Sequence, residues 1–165
     1  MTLTQQSAPY AHWDFVHPSS GDRLRIIPER GGLVSGWCCG GQEILYFDQD
    51  RYADPSKSIR GGIPVLFPIC GNLPGDVLPV DGVDHPLKQH GFARDLPWQL
   101  QLLEDQCGVR LSLSSTEATL KAYPFPSVWR WSCTRWPLPW RSPPPCTTAV
   151  MPPCRSVLAC TPTST

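Results

Sequence analysis

The feature that most limits what this chain can fold into is a change of composition after Pro126. All 13 glycines of the 165-residue sequence lie at or before Gly108, all 4 histidines at or before His90, and the last acidic residue is Glu117. Residues 127–165 hold 8 of the 20 prolines, 4 of the 7 tryptophans and 4 of the 8 cysteines. With four arginines and no acid they carry +4, against −4 for residues 1–126, so the net charge of zero averages two unlike parts. A solvated Pro-rich linker keeps Glu, Lys, Gln or Gly. This stretch lacks all four and adds Trp and Cys. Neither a period of 2 nor one of 3.6 runs long enough in it to bury a face. We expect 127–165 to be a disordered tail of the kind a shifted reading frame produces; the alternative is a genuine interaction tail.

The fold must then come from residues 1–126, and their periodicity is that of strands. His12–His17 and Arg23–Ile27 alternate on either side of the turn residues Pro18 to Asp22, a hairpin pattern. Leu33–Trp37 and Glu43–Phe47 read as two further strands separated by Gly40-Gly41. Trp98, Leu100 and Leu102 share one face, as do Val109, Leu111 and Leu113, with residues 104–108 as the connecting loop. No segment offers an amphipathic helix, and strands at this spacing predict an all-β, antiparallel sandwich.

Residues 56–97 break the alternation. Ile63–Pro68 is apolar but bounded by proline, which predicts a buried extended wall, and the rest has no persistent strand pattern. Long irregular segments in compact domains are commonly functional. This one carries Arg60, Lys88, His90 and Arg94. Arginine forks suit phosphate, and an imidazole can give or take a proton near neutral pH. The same residues also read as solvated charges around a structural histidine, and spacing alone does not separate the two.

Other signals imply little chemistry. Cys38 and Cys39 are adjacent on a strand and point to opposite faces, and the tail cysteines contain no C-x-x-C, so no metal site is expected. Asp48, Asp50 and Asp54 lack the glycine and closing glutamate of a calcium loop and read as a solvated turn. Zero net charge argues against nucleic-acid binding. With no apolar run of about 18 residues and no charged start before an apolar stretch, a soluble cytoplasmic protein is expected. The tail's Trp and Arg residues leave a membrane-surface or interaction module as a rival reading.

The motifs Ser58-Ile-Arg-Gly-Gly-Ile-Pro-Val-Leu-Phe-Pro68, Cys70-Gly71, Gln89-His-Gly-Phe-Ala-Arg94 and Leu96-Pro-Trp98 resemble the hexose-6-phosphate mutarotases. These form the glucose-6-phosphate 1-epimerase branch of the aldose 1-epimerase, or galactose mutarotase-like, family. Arg30–Trp37 and Glu43–Tyr46 are similar to that family's opening strands, and the match runs over about residues 10–126. The resemblance implies a truncated galactose mutarotase-like β-sandwich, monomeric if folded, with no metal or cofactor. It implies that His90 is an active-site histidine and that Arg60, Lys88 and Arg94 hold the 6-phosphate of a hexose. It also implies a second histidine and a glutamate base, yet no histidine follows His90 and no acid follows Glu117. General acid–base steps are each worth about 10²–10⁴ in rate, so impaired isomerase activity is expected. A non-catalytic sugar-phosphate-binding fragment is the alternative.

Overall fold

The computed structural model describes residues 2–104 and 108–134. Five strands form one antiparallel sheet in chain order: β1 (Thr2–Gln6), β2 (His12–Val16), β3 (Arg23–Ile27), β4 (Leu33–Cys39) and β5 (Gln42–Glu43). A second sheet orders as β10-β9-β8, with β8 at Gln99–Leu102, β9 at Gly108–Ser114 and β10 at Val128–Thr134. A two-stranded ribbon, β6 (Val77–Val80) with β7 (Val83–Pro86), lies between them in sequence. Two short α-helices, α1 (Gln49–Ala53) and α2 (Glu117–Ala122), and two 3-10 turns, Pro74–Asp76 and Ala93–Asp95, complete the elements among the described residues. Among the described residues no helix is long and apolar enough to cross a membrane.

Alternation places the core between the two larger sheets. From the first, Phe15, Leu24, Ile26 and Val34 are buried; from the second, Val109, Leu111, Leu113 and Trp129; Trp98 and Ala93 close the cluster from the loop before β8. The expected hairpin is present as β2 paired with β3, Trp13 opposite Ile26 and Phe15 opposite Leu24. β3 then pairs with β4 across a register shift between Arg25 and Ile26. The inward set on β9 is Val109, Leu111 and Leu113, as its period of 2 requires.

Four sequence expectations differ from what is seen. The strand expected over Glu43–Phe47 ends at Glu43, because the backbone then turns to bond the 60–62 segment, with the Gly62 N–H donating to Tyr46 O at 2.8 Å. The wall expected over Ile63–Pro68 is only half realised: Val65 and Phe67 pack on the core, while Ile63 is 46% exposed. Residues 56–97 do contain strands, namely β6 and β7, joined by Asp81 and Gly82 with φ of 50° and 79°. Each strand of that ribbon is an edge, which is where Pro79 and Pro86 are tolerated.

The fourth difference concerns the boundary placed after Pro126. β10 lies beyond it, pairing along its whole length with β9 and sending Trp129 into the core at 5% exposure. The alternation Trp129, Arg130, Trp131, Ser132 is brief, but the β9 ladder needs only such a stretch to be extended. The remainder of the expected tail, residues 135–165, lies outside the described residues.

Helices are likewise local devices. The Thr116 side chain accepts from the Thr119 N–H at 3.3 Å, and the Thr119 hydroxyl accepts from the Thr116 N–H at 2.8 Å, a reciprocal cap that starts α2. Asp48 caps α1 by accepting from the Arg51 N–H at 2.9 Å. Asp48 thus caps the helix, Asp50 lies in its first turn, and Asp54 accepts from the Ser56 N–H at 3.0 Å in the turn that follows.

Candidate active site

Three loops meet around a cavity of about 250 Å³, somewhat below the ~300–1,000 Å³ usual for small-molecule sites. The first is the Arg30–Gly32 turn between β3 and β4, the second residues 58–66, the third residues 90–95. Backbone bonds bind them to one another. Gly31 N–H donates to Leu96 O at 2.9 Å, Ile63 N–H to Val34 O at 2.8 Å, and Phe92 N–H to Phe67 O at 2.9 Å. Trp98 anchors the third loop from below, its indole N–H donating to Ala93 O at 2.9 Å.

The polar groups on the cavity wall are Arg30, Ser58, His90, Arg94 and Asp95. His90 sits at φ 66°, a left-handed conformation uncommon outside glycine. Its Nδ1 accepts from the Gly71 N–H at 2.9 Å, and its own N–H donates to Gly71 O at 2.7 Å. Arg94 donates through Nη2 to Gln89 O at 3.2 Å, and its Nε lies 3.8 Å from the Asp95 carboxylate. That pair is partly exposed and screened, so it is weak, and the guanidinium keeps capacity for another anion. Arg30 donates to the carbonyls of Tyr52 at 2.9 Å and Lys57 at 2.8 Å and stacks 5.0 Å from the Tyr52 ring centroid. Burial raises the Tyr52 hydroxyl above its ordinary pKa, while the Arg30 charge opposes that rise.

Of the four residues singled out from sequence, His90 and Arg94 come together on this cavity. Arg60 and Lys88 do not line it; both side chains are exposed. Their backbones act instead, Arg60 O accepting from Asp48 N–H at 3.1 Å and Lys88 O from Gly91 N–H at 2.9 Å. Arg30 and Ser58 were missed as site residues. Ser58 opens the Ser58–Pro68 motif, and Arg30 precedes a glycine pair, as Arg60 does. Gly31, Gly61 and Gly62 of these two pairs all line the cavity. That repeated Arg-Gly-Gly was the signal available.

No protein-family model matches the chain. It is 36% identical over 95 residues to a Salmonella typhimurium protein named "Putative glucose-6-phosphate 1-epimerase", a stretch covering 56% of this chain and 29% of that protein. Among solved structures, the Slr1438 protein from Synechocystis superposes with a TM-score of 0.71 at 45% identity, over 82% of this chain and 47% of that one. A galactose mutarotase-like protein from Lactobacillus casei gives a TM-score of 0.60 at 20% identity, over 81% of this chain and 40% of that chain, a likeness of fold. The chain thus spans less than half the length of each of these proteins. It resembles the glucose-6-phosphate 1-epimerases in sequence and carries part of the galactose mutarotase-like fold.

Proposed function

We propose that the cavity binds a hexose 6-phosphate and that the fold to which it belongs interconverts the α and β anomers of that sugar. The observation that carries this reading is the placement of His90 and Arg94 on one cavity wall with Arg30 opposite no carboxylate among the described ion pairs. Two guanidinium groups against one exposed carboxylate leave the wall cationic, which favours a phosphate. Arg60 and Lys88, exposed and within two residues of lining positions, add to the same field.

Ring opening of a hexose needs a base at the anomeric hydroxyl and a proton donor at the ring oxygen. Among the described residues, His90 is the only histidine on this wall and Asp95 its only acid. With no histidine after His90 and no acid after Glu117, we expect this chain to bind the sugar and to exchange its anomers weakly. The test is calorimetric titration of the full chain with glucose 6-phosphate and with glucose, alongside polarimetry of freshly dissolved α anomer. Tighter binding of the phosphate by tenfold or more, abolished by Arg94→Ala, is the expected result. Equal affinity for the two sugars, or none for either, overturns the reading.

A further inference from the structure

The bonding of His90 fixes more than its position, because a backbone amide can only donate. Gly71 N–H points at His90 Nδ1 from 2.9 Å, so Nδ1 must present its lone pair there. The neutral ring then carries its proton on Nε2. Gly71 and His90 hold each other twice, the second bond running from His90 N–H to Gly71 O at 2.7 Å. The left-handed backbone at His90 and at Gly91 (φ 66° and 69°) turns the chain so that both bonds form at once. Among the described residues nothing bonds Nε2, the ring is only half-buried, and it lines the cavity.

We infer that His90 is locked by the Gly71 amide as the Nε2–H tautomer and serves the cavity as a neutral hydrogen-bond donor. A second proton on the ring would need the lone pair that the amide occupies. The group is therefore built to hold an oxygen acceptor, such as a hydroxyl or ring oxygen of a sugar, and not to collect protons from it. Gly71 is the positioning residue, acting through His90. Among the described residues no carboxylate bonds the imidazole to set the tautomer instead; Asp95, the acid on the cavity wall, lies 3.8 Å from Arg94 Nε. That a sugar supplies the acceptor rests on the function proposed above; the tautomer does not.

Two measurements separate these parts. Long-range proton–nitrogen NMR on the full chain, with His90 assigned through His90→Gln, reads the tautomer without any ligand. A pyridine-type Nδ1 and a pyrrole-type Nε2 at neutral pH are expected; the reverse pattern, or a doubly protonated ring, overturns the inference. The second compares His90→Gln with His90→Asn for glucose 6-phosphate affinity. A Gln amide nitrogen can reach the Nε2 position, whereas Asn is shorter but better tolerated at positive φ. Gln should stay within about threefold of the parent and Asn should lose at least tenfold, the opposite of what backbone compatibility alone would give. Retention in Asn with loss in Gln refutes the donor role. If the parent chain binds no sugar phosphate, the proposed function falls and the NMR pattern alone decides the tautomer.

Discussion

Gly91 carries more of the site than its absent side chain suggests. A Cβ built there would overlap the Phe67 carbonyl oxygen and press on Pro68, and its φ of 69° is one that L side chains rarely adopt. Gly82 has a similar φ of 79° but open space around it. Positive φ alone costs on the order of 1 kcal/mol for a non-glycine residue, and the overlap adds to it at Gly91. Gly91→Ala should therefore lower the urea midpoint well beyond Gly82→Ala; equal shifts would show that the close packing on Phe67 is not what holds this loop. At the same scale, Asp54 titrates below the ordinary aspartate range. The Ser56 hydroxyl bonding its carboxylate at 2.6 Å is the main cause, with Lys57 at 3.0 Å and the Ser56 N–H adding to it. A folded pKa below the unfolded one means that this turn's contribution is present above the unfolded value and is lost as pH falls through the folded one. Ser56→Ala should move the Asp54 midpoint upward in a carboxyl-carbon NMR titration, and an unmoved midpoint would discard the hydroxyl as the cause. His90 and Arg94 could be picked out as candidates from sequence because both carry side chains suited to proton transfer or anion binding. Arg30 carried a weaker mark, the Arg-Gly-Gly it shares with Arg60, because its own partners are the backbone carbonyls of Tyr52 and Lys57.

At the scale of elements, legibility followed packing. β3 and β9 were readable because each puts alternate residues on the core, Leu24 and Ile26 or Val109, Leu111 and Leu113, whereas β2 and β4 also bury residues of their other face, Asp14 and Ser35. β6 and β7 contribute no buried hydrophobic residue to that core, so nothing imposed a pattern on them. β8 was half readable: Trp98, just before it, is 5% exposed, but Leu102 at its end is 37% exposed although it keeps the inward parity. Parity gives direction, and only the neighbouring sheet decides depth. Leu111, in the middle strand of its sheet, is fully buried. Leu111→Ala should cost about 2–5 kcal/mol of unfolding free energy. Leu102→Ala should cost less, since at 37% exposure over a third of its surface already faces water. Chemical denaturation of both variants checks this, and similar losses would place Leu102 deeper than its position at the sheet end.

For the whole molecule, the question is whether the two larger sheets stand or fall together. Their only described continuous connection through side chains is the shared cluster, in which Phe15, Leu24, Ile26 and Val34 from one sheet meet Val109, Leu111, Leu113 and Trp129 from the other. Neither set is covered without its opposite. At about 25 cal/mol per Å² of apolar surface, exposing either inner face costs more than a separate small sheet could recover from its own ladder. The loops add to the coupling, because Gly31 N–H reaches Leu96 O and Trp98 N–H reaches Pro28 O, each at 2.8–2.9 Å. The cavity sits on these same crossings, so its geometry exists only while both sheets are joined. Hydrogen exchange makes the consequence measurable. The slowest ladder amides of β3 and of β9 should open with one free energy, equal to that of global unfolding. If β9 opens at a distinctly lower free energy while β3 stays closed, the second sheet is a separable unit. His90 and Arg94 would then be held by a scaffold that comes apart before the chain unfolds.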